Sequence, residues 1–196
     1  MHLDQIRRHG STFGDQVVEA ANGGVPFGQP RDPATVADPE NARAEVGVSA
    51  FYNQTGAVVE NLDDQASSEI FRDIHGRTPP QSSRKPDLLV DGEFRDVFRP
   101  NPLTTDARAA RNAADSKLLG QTQRLDIWLS GADALGNQRT IAQMETGWND
   151  FLAELGGVER FVSLYTVNGR PPVEVVVLDS VTGVRRVLFS GTDNLQ

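Results

Sequence analysis

Lys85-Pro-Asp-Leu-Leu-Val-Asp-Gly-Glu-Phe-Arg-Asp-Val-Phe-Arg-Pro100 carries the clearest strand–turn–strand signal in the sequence. Leu88–Val90 and Glu93–Phe98 have the composition of short strands, and Asp91-Gly92 between them is the strongest two-residue hairpin signal. With that loop, Val90 faces Glu93, Leu89 faces Phe94, Leu88 faces Arg95, and Asp87 faces Asp96. Cross-strand partners share a sheet face, and like charges placed opposite each other destabilise a hairpin. A divalent cation between Asp87 and Asp96 would reverse that sign, so the hairpin has the look of half a hard-metal site. A register slip of one residue would send Asp96 to the other face. Asp87 would then merely cap a turn after Pro86, and Asp96 would sit in solvent on an edge strand.

Upstream, residues 1–38 carry Gly23-Gly24, Pro26, Gly28, Pro30 and Pro33, which leaves room for a loop-rich lead-in with one short helix near 14–21. Asp38-Pro39-Glu40 supplies an N-cap, a proline at the first helical position and an acidic first turn, so a helix is expected from Pro39 to about Tyr52. Gly56 ends it and residues 57–62 follow as a strand. Residues 66–74 suggest a short helix before Pro79-Pro80.

Downstream, Thr104/Thr105-Asp106 opens an alanine-rich helix to about Leu119. Arg124–Ser130 alternates Leu125, Ile127 and Leu129 with Asp126 and Trp128, as a half-buried strand does. Residues 138–155 form the best amphipathic helix, with Ile141, Met144, Trp148 and Phe151 on one side and Gly156-Gly157 closing it. Residues 161–167, 173–178 and 184–189 read as strands, the last two paired through a turn near Thr182-Gly183. This order gives an α/β (α+β) fold, a mixed sheet flanked by helices, with one domain over residues 39–196.

Composition excludes several classes. A hydrophobic content of 38% and a charged content of 23% suit a globular chain, and Val175–Leu178 is too short an aliphatic run to span a bilayer. No charged and then apolar opening marks a signal peptide of the usual kind. The absence of cysteine removes disulfides, thiolate-bound zinc and a thiol nucleophile. His2, His9 and His75 are too few and too scattered for a histidine-rich metal centre. The net charge of −8 argues against broad attraction to nucleic acid. Yet residues 84–124 hold eight Arg/Lys against six Asp/Glu, a local +2 that leaves −10 elsewhere. A polyanion at that face fits the count, and ordinary surface ion pairs fit it too.

Only Lys85 and Lys117 are lysines, against 17 arginines. Lys117 lies three residues after Ala114 and seven after Ala110, along the alanine stripe expected to pack on the sheet. An ammonium there can stabilise charge developing on a phosphate, and it also complements the negative end of its helix.

The run Lys-Pro-Asp-(x)4-Gly-(x)3-Asp-(x)3-Pro, followed by an alanine-rich helix bearing a lysine, then Gln-x-x-Arg and a hydrophobic strand, resembles the tRNA-nuclease toxin domains of contact-dependent growth inhibition (CdiA) proteins. The resemblance spans roughly residues 40–190 and is densest over 85–130. It implies a restriction-endonuclease-like fold of the PD-(D/E)xK superfamily. Asp87 and Asp96 match the paired metal-binding acids, and Lys117 matches a lysine taken from the following helix. Phe98 stands where the standard D-x-K form would have its lysine. A third acid comes from the first helix; Glu45 fits by its distance to Gly56, Glu40 by local pattern.

The resemblance further implies a metal-dependent endoribonuclease acting on tRNA, with Mg²⁺ or another divalent ion such as Mn²⁺ or Zn²⁺ held by Asp87, Asp96 and Glu45. It implies a cognate immunity protein and delivery from the cell surface, as part of a larger protein, into the cytoplasm of a target cell. Arg95, Arg99, Arg108, Arg111 and Arg124 are candidate contacts to the nucleic-acid backbone. Thr104 and Thr105 are candidates to reach phosphate or metal, and as helix caps they need no such role. Two alternatives fit the same residues: a DNase of this fold, and an inactive binding or virion-associated module.

Overall fold

The computed structural model describes residues 39–62, 86–119, 122–131 and 135–191. The expected short helices at 14–21 and 66–74, and the Asp38 cap, lie outside the described residues. Among those described, six strands and four helices make a mixed α+β fold, dividing into two compact units between Val97 and Phe98.

The first unit holds helix α1 (Pro39–Gln54) and three antiparallel strands in the order β1 (Val59–Asn61), β2 (Leu88–Val90), β3 (Glu93–Phe98). Gly56, at φ 87°, takes the left-handed conformation that ends α1. The buried stripe of α1 is half polar: Glu45, Ser49 and Asn53 alternate with Ala42, Val48 and Tyr52. A stripe of that kind costs free energy unless its polar atoms find partners. Ser49 meets this demand by donating to Asn61 Oδ1 on β1 at 2.6 Å.

The second unit holds α2 (Asp106–Lys117), β4 (Arg124–Leu129), α3 (Ile141–Leu155), α4 (Val158–Tyr165), β5 (Glu174–Asp179) and β6 (Arg185–Ser190). β4 and β5 are parallel, which requires the α3–α4 crossover between them, and β6 returns antiparallel to β5. Its core joins Ala109, Ala110, Ala113 and Ala114 of α2 to Leu125, Ile127 and Leu129 of β4 and to the rings of Trp148, Phe151, Phe161 and Phe189. Thr140 and Gln143 form a reciprocal capping box at the start of α3, and Gly156 ends that helix at φ 96°. α2 and α3 approach closely at Gly147. A Cβ built there would lie 2.3 Å from the Asp106 carbonyl carbon, so only glycine admits the contact.

One element differs from the sequence expectation. Residues 158–165 are helical, where residues 161–167 read as a strand. Val158, Phe161, Val162 and Tyr165 follow the i, i+3, i+4, i+7 spacing of one helix face, and Phe161 and Tyr165 are buried. The aromatic and β-branched content suggested a strand, but packing on the ring cluster decides for a helix. Gly156-Gly157 therefore separates two helices. Among the described residues no helix is long and apolar enough to cross a membrane.

Candidate functional site

The hairpin forms as its sequence requires. Asp91 and Gly92 both take positive φ, 48° and 83°, as a two-residue turn between twisted strands demands. The Asp91 carboxylate also accepts the Val58 N–H at 2.8 Å, which ties the turn to the chain entering β1. Leu88↔Arg95, Leu89↔Phe94 and Val90↔Glu93 pair in the register read from the sequence.

The ladder changes at Asp87. Its amide donates to the Arg95 carbonyl at 3.1 Å, although Arg95 is already the partner of Leu88. In an unbroken ladder the Val97 N–H would donate to the carbonyl of residue 86; instead Asp87 Oδ2 accepts it at 2.9 Å. The Asp87 carbonyl meanwhile accepts the Leu62 N–H on the β1 side at 2.9 Å. Asp87 is thus fixed by main chain and side chain between two strands, with its carboxylate against the peptide that follows Asp96. Asp96 itself is 0% exposed.

Strand alternation assigns the faces. Asn61, Leu88 and Arg95 share a rung, and Asn61 bonds Ser49 of α1, so α1 covers that face. The Arg95 guanidinium agrees, lying over the Tyr52 ring of α1 at 5.1 Å. Asp96, one residue on, leaves β3 on the opposite face. Glu45 and Asp96 therefore start from opposite sides of the hairpin. Of the two candidate helix acids, Glu45 is buried and accepts from Asn41 Nδ2 at 2.9 Å, whereas Glu40 is exposed and paired with Arg43.

The arginines separate into different roles. Arg95, expected at a nucleic-acid backbone, is 6% exposed and packed on Tyr52, so it belongs to the hairpin core. Arg111 is exposed but bound to Glu154 at 2.6 Å, with its guanidinium near the Phe151 ring. Arg124 is half-buried on β4, and Arg99 and Arg108 border hollows beside α2. Thr105 is the N-cap residue of α2 without a side-chain capping bond, and the Thr104 hydroxyl donates to the Asn101 carbonyl at 2.9 Å. Lys117, half-buried, occupies the last turn of α2.

Two buried acids had no sequence signal as site residues. Asp126, which alternation alone would leave half-solvated, is 0% exposed on β4, and Glu60 is 2% exposed on β1. Glu60 shares its rung with Leu89 and Phe94 and so stands on the Asp96 face.

Among the described residues no three His, Cys, Asp or Glu side chains gather into a metal-holding group. Two carboxylates are nonetheless a sufficient protein contribution for Mg²⁺, which retains several waters and draws further oxygens from substrate phosphates. The donors at this hairpin are oxygens alone, the set that suits a hard cation. Asp87 and Asp96 supply two such carboxylates at neighbouring strands, one fixed by the Val97 amide and the other buried.

No protein-family model matches the chain, and no curated protein matches it in sequence. In structure it is similar to a chain of the CdiA-CT/CdiI toxin and immunity complex from Burkholderia pseudomallei, with TM-score 0.50 and 14% identity over 81% of this chain and 94% of that one. At that identity the likeness is one of fold.

Proposed function

We propose that this chain is the nuclease domain of a delivered toxin, hydrolysing RNA with tRNA as its substrate and restrained in the producing cell by an immunity protein. The observation that carries the reading is the junction of Asp87 with the Asp96–Val97 peptide, in a fold shared with a chain of a toxin–immunity complex. The sequence resemblance supplies the substrate, the partner, and action in the cytoplasm of a target cell.

In this reading Asp87 and Asp96 hold a divalent cation, with Mg²⁺ or Mn²⁺ favoured over Zn²⁺ by the all-oxygen donors. When bound, such an ion supplies Lewis acidity toward a phosphate oxygen and toward water. Asp87 keeps one oxygen fixed by the Val97 amide, so the carboxylate presents a single orientation. Lys117 enters through the resemblance alone, as the cation that would neutralise charge developing on the phosphate. Glu45 enters as a third acid through the resemblance alone; it is buried and accepts from Asn41 within α1.

Incubating the protein with total tRNA tests this reading, with Mg²⁺ and then with EDTA, beside an Asp96→Asn variant whose folding is verified by circular dichroism. Discrete fragments lost with chelator and with the variant are expected. Intact tRNA with every divalent ion tried, or cleavage indifferent to Asp96, would overturn it; cleavage of DNA alone would move the reading to a DNase.

A further inference from the structure

The inner face of α2 is alanine and wholly buried, while its outer face carries Arg108, Arg111, Asn112, Asp115 and Ser116 in solvent. Two hollows flank that outer face. One, of about 470 Å³, is bordered by Phe98, Arg99 and Ser116; the other, of about 440 Å³, by Thr105 and Arg108. Both include Asn112 and Asp115, so they adjoin across the helix and form one track. From Arg108 to Ser116 the helix rises about 12 Å. The next residue is Lys117.

The charges on this track are unevenly engaged. Arg111 is neutralised by Glu154, and Asp115 accepts the Tyr165 hydroxyl. Arg139, Arg185 and Arg186 are held in ion pairs elsewhere in the unit. Among the described residues, Arg99 and Arg108 take part in no ion pair or hydrogen bond. Two uncommitted guanidinia at the two ends of this track, in a chain of net charge −8, have no internal anion to serve.

On the nuclease reading above, we infer that the outer face of α2 is the path of an unpaired RNA segment running toward Lys117. Arg99 and Arg108 contact phosphates at the two ends of the track, the Asn112 amide donates between them, and a base rests against the half-buried Phe98 ring. Aromatic and arginine side chains along a basic groove are the means by which proteins take up single strands. A protein partner is disfavoured because Phe98 is the one large apolar side chain among the residues bordering the track, whereas tight protein interfaces depend on several such anchors.

The full chain in EDTA, with fluorescently labelled tRNA, provides the test by anisotropy over a series of salt concentrations. The double variant Arg99→Glu/Arg108→Glu should bind about tenfold or more weakly, with the salt slope reduced by about 1 to 2. Arg160→Glu/Arg170→Glu, which makes the same charge change on exposed residues that border neither hollow, should stay within about twofold of the parent. Equal losses in both double variants would reduce the effect to net charge and overturn the inference. So would unaltered tRNA binding by the first variant, even if it no longer bound its immunity protein. Failure here with metal-dependent cleavage of tRNA intact removes the α2 path alone. A parent chain that neither binds nor cleaves tRNA removes the nuclease reading with it.

Discussion

Asp87 accepts the backbone N–H of Val97 through its carboxylate at 2.9 Å, doing with a side chain what a strand does with its carbonyl. Its substitutions should therefore have separable consequences. Asp87→Ala leaves the buried Val97 amide without an acceptor. An orphaned donor of that kind costs about 1–3 kcal/mol, seen as a lower denaturation midpoint. Asp87→Asn keeps an acceptor oxygen, so its midpoint should stay near the parent's while metal-dependent cleavage is lost. Equal midpoints for the two variants would remove the structural half of this assignment.

Glu45 and Asp96 stand on opposite faces of the hairpin, and their neutral variants should differ in kinetics. Asp96→Asn is expected to reduce cleavage beyond the roughly 10–100-fold cost of losing an outer partner of a metal site. Glu45→Gln should fall within that range, and Glu40→Gln should change nothing measurable. A Glu45 variant as inactive as the Asp96 variant would make the helix acid a direct participant.

Gly147→Ala tests the crossing of α2 and α3. The new methyl group would meet Asp106 backbone atoms at 2.3 and 2.4 Å, and backbone cannot step aside as a flexible side chain can. Overpacking of this kind costs about 1–3 kcal/mol. In a chain of this size each kcal/mol lowers Tm by about 2–4 °C. A calorimetric melt unchanged by the substitution would refute the close approach.

Tyr165 has its pKa pushed well above the ordinary tyrosine value, first by burial and then by its hydrogen bond to Asp115. The folded protein thus retains this proton where the unfolded chain releases it. The contribution is complete below about pH 10 and declines as pH rises beyond it. Urea midpoints measured from pH 8 to 11 should fall more steeply for the parent than for Tyr165→Phe; parallel slopes would contradict the shift.

The hairpin was legible because its determinants are local: a turn pair that requires positive φ, and an alternation that fixes the register. The departure at Asp87 was not, since it depends on β1 and β3 flanking the same residue. Burial of charged residues was equally hidden. Arg95 reads as an available cation until Tyr52 is found beneath it, and Asp126 reads as the wet side of a half-buried strand. The 158–165 segment shows the converse, because its helical spacing was present but its β-branched and aromatic residues carried the opposite propensity. Gly147 carries no local signal of its role; only the second helix passing against it requires a residue without a side chain.

The substitution of a carboxylate for a strand carbonyl at Asp87 also bears on timing. A carboxylate oxygen held by a neighbouring strand's amide acquires its direction when the sheet closes. The entropy of orienting it is consequently charged to folding, and on the proposed nuclease reading a cation would meet a preorganised ligand. On that reading the carboxylate becomes competent in the same event that completes its hairpin.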